Sequence, residues 1–84
     1  MSPKIVLKFY AMYRDAIGVG EKVLKVGNEL SVRELLEYLS RVEKLGETME
    51  KYKPVIIVNG EIVGEDYTIR GEAVVEIAPG FSGG

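Results

Sequence analysis

The chain has 84 residues, 46% of them hydrophobic and 29% charged, with a formal net charge of −2. That describes one globular domain, short of the mass that shelters a deep, desolvated cleft and without the basic balance nucleic acid demands. It contains neither Cys nor His, which excludes disulfides, thiolate metal sites and a thiol nucleophile, and removes the commonest general base. These absences argue against an enzyme. Met1-Ser2-Pro3-Lys4 runs straight into strand-like residues without the apolar stretch of a signal peptide, and no run approaches the ~18 apolar residues of a membrane span. A cytoplasmic protein is expected.

Lys4–Tyr10 alternates, with Ile5, Leu7 and Phe9 on one face and Val6, Lys8 and Tyr10 on the other, and predicts a strand. Tyr13–Ile17 predicts a helical turn closed by Gly18. Glu21–Val26 alternates again, with Leu24 and Val26 facing inward. Too few residues separate the two runs for a crossover, so they are expected to pair as an antiparallel hairpin with a wide loop.

Ser31 and Glu34 have the spacing of a capping box. Behind them Val32, Leu35, Leu36, Leu39 and Val42 form one apolar stripe of a helix from about Ser31 to Val42. Glu47–Lys53 is charged and compatible with a second short turn. Pro54 opens the continuous apolar run Val55-Ile56-Ile57-Val58 of a buried strand. Asn59-Gly60 then signals a two-residue hairpin turn, because a type I′ turn requires positive φ at both positions. Glu61–Val63 returns as a short strand, and Glu72–Ile77 is the last.

Hairpin, helix, hairpin and final strand in so short a chain predict an α+β fold of the β-grasp type. A mixed sheet of four or five strands clasps one main helix around Leu7, Phe9, Leu24, Leu35, Leu39, Ile56 and Val75. The first and last strands are expected to be parallel neighbours. Val6, Tyr10 and Val74 alternate away from that core and form an apolar patch on the sheet's outer face, the usual mark of a partner surface. Glu61, Glu65 and Asp66 read as a solvated hairpin end, not as a metal site. Arg14 and Asp15 read as an ion pair in solvent.

A domain over residues 1–78 is expected, followed by a flexible tail over 79–84. The tail runs Pro79-Gly80-Phe81-Ser82-Gly83-Gly84, and Pro79, which has no N–H to donate, ends the ladder. Fixing these backbones costs more than one Phe81 side chain returns. On its own such a tail is equally compatible with an inert frayed end.

Body and tail together resemble the small subunit of molybdopterin synthase and, more broadly, the ubiquitin-like sulfur carriers. The resemblance rests on the segment Lys8-Phe9-Tyr10-Ala11-Met12-Tyr13-Arg14-Asp15-Ala16-Ile17-Gly18, the helix start Val32-Arg33-Glu34-Leu35-Leu36, the turn Val58-Asn59-Gly60-Glu61 and the terminal Gly83-Gly84. Gly80 stands where the family often has a second proline. The resemblance implies that Gly84 is the reactive residue. An E1-like partner adenylates its carboxylate with ATP, and a sulfur donor displaces AMP to leave a thiocarboxylate. Sulfur then passes to a pterin precursor on the large synthase subunit, which holds the active site. Phe81, Ser82, Gly83 and Gly80, with Val6, Tyr10 and Val74, would contact partners. No bound cofactor, metal, nucleic acid or membrane is implied. Conjugation of Gly84 to target proteins, and sulfur delivery to thiazole or tRNA thiolation, use the same activated end and stay open as alternatives.

Overall fold

A computed structural model of the chain describes residues 4–42 and 45–80, without the Val42 side chain. Phe81, Ser82, Gly83 and Gly84 lie outside the described residues, as does the Val42 side chain of the helical stripe. In chain order the elements are β1 (Lys4–Phe9), α1 (Ala11–Ile17), β2 (Glu21–Lys25), β3 (Leu30–Ser31), α2 (Val32–Val42), α3 (Gly46–Lys51), β4 (Pro54–Val58), β5 (Glu61–Val63), β6 (Thr68–Ile69) and β7 (Ala73–Pro79).

Five strands form one mixed sheet in the order β2-β1-β7-β4-β5. The outermost elements of the sequence meet at its centre: β1 and β7 run parallel, with Ile5 opposite Ala73 and Phe9 opposite Ile77. The β1–β2 and β4–β5 pairs are antiparallel hairpins, and β4 closes antiparallel on β7. This is the expected β-grasp, at the five-strand end of the expected range. The turn between β4 and β5 has φ of 49° at Asn59 and 88° at Gly60, the type I′ signature.

One face of the sheet packs on α2. Val32, Leu35 and Leu39 of the helical stripe are fully buried against Ile5, Leu7, Phe9, Ile56, Val75 and Ile77. Two hydrogen bonds close the capping box: Ser31 N–H donates to Glu34 Oε1 and Glu34 N–H to Ser31 Oγ. The Ser31 backbone N–H, and after it the Ser31 hydroxyl, hold the Glu34 carboxyl below its ordinary pKa. Two further N–H groups of the first turn are satisfied from a distant loop, Val32 by the Tyr67 carbonyl and Arg33 by that of Glu65, so α2 starts with its free donors occupied.

Four features depart from the expectations. Leu24 is half-buried, not part of the innermost core, because β2 is an edge strand covered on one side only. Tyr13 is fully buried; its hydroxyl donates to the Tyr52 carbonyl and ties α1 to the end of α3. Leu30–Ser31 and Thr68–Ile69 make a separate two-stranded ribbon that buries Ile69. Arg14 and Asp15 form no ion pair with each other, as adjacent helical positions point apart.

Candidate functional site

The faces of a β-strand alternate, so the buried set Ile5, Leu7 and Phe9 commits Val6, Lys8 and Tyr10 to the face away from α2. Pairing then assembles the outer surface row by row. Val6 lies between Val23 of β2 and Val74 of β7. The expected patch is therefore present, with Tyr10 42% and Val74 38% exposed and Val6 half-buried. Sequence reasoning missed two members, Val23 and Ile62, the latter 75% exposed beside Ile57. The alternation of β2 and the two-residue turn at Asn59-Gly60 together specify both positions.

Asn59 locks the edge of this patch. Its N–H donates to the Val74 carbonyl, and its Oδ1 accepts from the Val74 N–H, both at 2.9 Å. Beside them a shallow depression of about 340 Å³ is lined by Lys4, Val6, Asn59, Glu72, Ala73 and Val74. At the other end of the face the Tyr10 hydroxyl donates to Glu76 Oε2 at 2.7 Å. That bond to a carboxylate, with some desolvation, pushes the Tyr10 hydroxyl above its ordinary pKa.

β7 delivers the chain to the edge of the same face. Pro79 is opposite Pro54, and there the ladder ends. The strand thus runs two residues past its expected end at Ile77. Gly80 is half-buried, and a Cβ added there would lie 3.2 Å from Val55 Cγ2. A side chain at this position would require the Val55 methyl to give way by a few tenths of an ångström. Gly80 is thereby placed against β4, while Phe81, Ser82, Gly83 and Gly84 fall outside the described residues.

Little else offers chemistry. Glu65 and Asp66 flank Arg33, whose Nη1 lies 2.9 Å from Asp66 Oδ1 and whose Nε lies 3.4 Å from Glu65 Oε1. They serve the start of α2, and Glu61 stands apart on β5. Among the described residues no group of three or more His, Cys, Asp or Glu is arranged to hold a metal, and no helix is long and apolar enough to cross a membrane. An open groove of about 900 Å³ runs between α2, α3 and β4–β5, on the helix side of the sheet.

The ThiS family model matches residues 7–84 of the chain. Among solved structures, the protein described as molybdopterin converting factor subunit 1 from Pyrococcus furiosus superposes with a TM-score of 0.78 at 30% identity. The match covers 95% of this chain and 100% of that one. SAMP1 from Haloferax volcanii gives 0.77 at 17% identity over 96% and 99% of the two chains. The small archaeal modifier protein 1 from Methanosarcina acetivorans gives 0.69 at 22%, over 100% and 99%. At those identities the last two are similar in fold alone. No curated protein sequence matches the chain.

Proposed function

Because the chain belongs to the ThiS family of ubiquitin-like sulfur carriers, we propose that it carries sulfur on the carboxyl group of Gly84 for molybdopterin synthesis, as the small subunit of a molybdopterin synthase. The observation that carries the choice of pathway is the 30% identity, over essentially both whole chains, to the protein described as molybdopterin converting factor subunit 1. The likenesses to the modifier proteins support the fold and do not favour conjugation over sulfur transfer.

The chemistry suits a chain without Cys or His. A carboxylate resists nucleophilic attack because its charge and resonance oppose it. An E1-like partner supplies ATP; the Gly84 carboxylate oxygen attacks the α-phosphorus, pyrophosphate leaves, and an acyl-adenylate remains. A donor that delivers sulfur as hydrosulfide then attacks the acyl carbon, the C–O bond to AMP breaks, and a thiocarboxylate is left on Gly84. Glycine at 83 and 84 lets this end enter a narrow channel in either partner, since no Cβ widens the chain. The outer face of the sheet, with Val6, Tyr10 and Val74, supplies the docking surface, and Phe81 and Ser82 extend the contact along the tail. The large synthase subunit holds the catalytic residues, in the cytoplasm.

Intact mass of the protein purified from its native host tests the reading. A species heavier by one sulfur and lighter by one oxygen, at the C-terminal peptide, is expected. Ladders of conjugates to other proteins, with no such species, would replace the carrier by a modifier.

A further inference from the structure

The outer face carries one carboxylate that an apolar lid would strand. Glu76 is half-buried on β7, the central strand, in register with Lys8 on one side and Ile57 on the other. Along β7 its neighbours on that face are Val74 and Ala78. Tyr10 donates to its Oε2. A carboxylate accepts through two oxygens, so one donor leaves Oε1 to water in the free chain.

Lys8 does not remove the problem. It stands in register with Glu76 on β7 and with Glu21 on β2, and forms an ion pair with neither. One cation between two carboxylates leaves this row of the face net negative by one charge. A partner that covered Val6, Val74 and Ile57 with apolar side chains alone would take Glu76 out of water with a single neutral hydrogen bond. Burying a charge so poorly paired costs more than the surrounding apolar contacts return.

We propose that the adenylating partner of this carrier seats an arginine against Glu76, and that this pair sets the register of docking. The proposal rests on the carrier reading above. A guanidinium suits the place better than an ammonium. Its planar fork can donate to Oε1 while lying over the exposed Tyr10 ring, whose hydroxyl already holds the other oxygen.

Pyrophosphate exchange by the adenylating enzyme encoded in the same genome, with ATP and the full chain, reads docking as the KM for the chain. Glu76→Gln keeps an acceptor for Tyr10 and removes the charge; it should raise KM about tenfold or more. The rise of wild-type KM with salt should flatten in this variant. Arg→Glu changes across the partner's contact surface should include one that Glu76→Arg restores, a rescue that misfolding cannot imitate. Val74→Asp, with its thermal unfolding checked, serves as the control for docking itself. If Val74→Asp abolishes exchange while Glu76→Gln leaves KM unchanged, the arginine is wrong and the docking face stands. If both leave KM unchanged, the docking reading fails and takes the arginine with it. A wild-type chain that sediments as a dimer, split by Val74→Asp, would assign the face to a second copy and overturn the proposal.

Discussion

Asn59 holds Val74 by both of its backbone polar groups, accepting the Val74 N–H through Oδ1 and donating its own N–H to the Val74 carbonyl. The residue that shapes the hairpin turn is thus also the last rung between β4 and β7. Its φ of 49° and its side chain are separable by mutation. Asn59→Gly keeps the left-handed backbone and loses only the Oδ1 bond, so it should cost about 0.5–1.5 kcal/mol. Asn59→Ala loses the bond and adds left-handed strain, roughly 1–2 kcal/mol more. Urea unfolding of the two variants checks the order; an alanine variant as stable as the glycine one would remove the backbone argument.

The buried Tyr13 hydroxyl gives a second prediction. Its bond to the Tyr52 carbonyl joins α1 to the residue that ends α3. Tyr13→Phe keeps the ring in the core and should cost about 0.5–1.5 kcal/mol. For a domain of this size each kcal/mol lowers Tm by roughly 4–8 °C. Burial raises the Tyr13 pKa, so its share of stability is present below the ordinary tyrosine range and is lost as pH rises through the folded value. The phenylalanine variant should therefore lose less stability than wild type above about pH 10. Calorimetry at neutral and alkaline pH measures both effects.

Tyr13 also marks where sequence reasoning stops. The elements legible in advance are those whose cause is local: the Ser31–Glu34 spacing, the Asn59-Gly60 turn, the stripe through Leu35 and Leu39. Outward positions followed from alternation, and Val6, Tyr10 and Val74 do share a face. The β3–β6 ribbon was not legible, because strands of two residues have no period to read, and its pairing of Leu30 with Ile69 spans half the chain. Leu45 falls outside the apolar stripe that ends at Val42, so periodicity assigns it no place in the core. It is fully buried at the start of α3, a placement decided by the packing of α3 beside α2. Glu76 lies inside the predicted last strand with nothing local to single it out. Its meaning depends on Tyr10 reaching across from β1, a contact between residues 66 positions apart.

The capping box predicts how the helix responds to acid. Bonds from Ser31 lower the Glu34 pKa in the folded chain. A depressed carboxylate contributes stability above its unfolded pKa of about 4.3, and that contribution disappears as pH falls through the folded value. Glu34→Gln keeps an acceptor for the Ser31 N–H without a titrating charge. The gap in stability between wild type and this variant should therefore narrow as pH drops below about 4. Parallel urea titrations between neutral and acidic pH test this; a gap independent of pH would mean that the Glu34 charge contributes nothing to the cap.

The position of the carboxylate is the most exposed point of the carrier reading. The buried core ends at Ile77 and the ladder at Pro79, so changes at residue 84 should leave Tm unchanged within error. Adenylation, by contrast, requires the carboxylate to reach the α-phosphate of ATP, and a shift of one residue moves it by about 3.3–3.6 Å. In-line attack tolerates far less, since reacting atoms must approach to about 3–3.5 Å with correct alignment. Deleting Gly84 should therefore abolish pyrophosphate exchange, and adding one residue after it should do the same. The extension is the cleaner variant, because it removes no contact and only displaces the reactive group. Its mass must be verified after the assay, since trimming would regenerate the native end. An extended, unprocessed chain that is adenylated and transfers sulfur at the wild-type rate would refute the Gly84 mechanism, whatever the fold resembles.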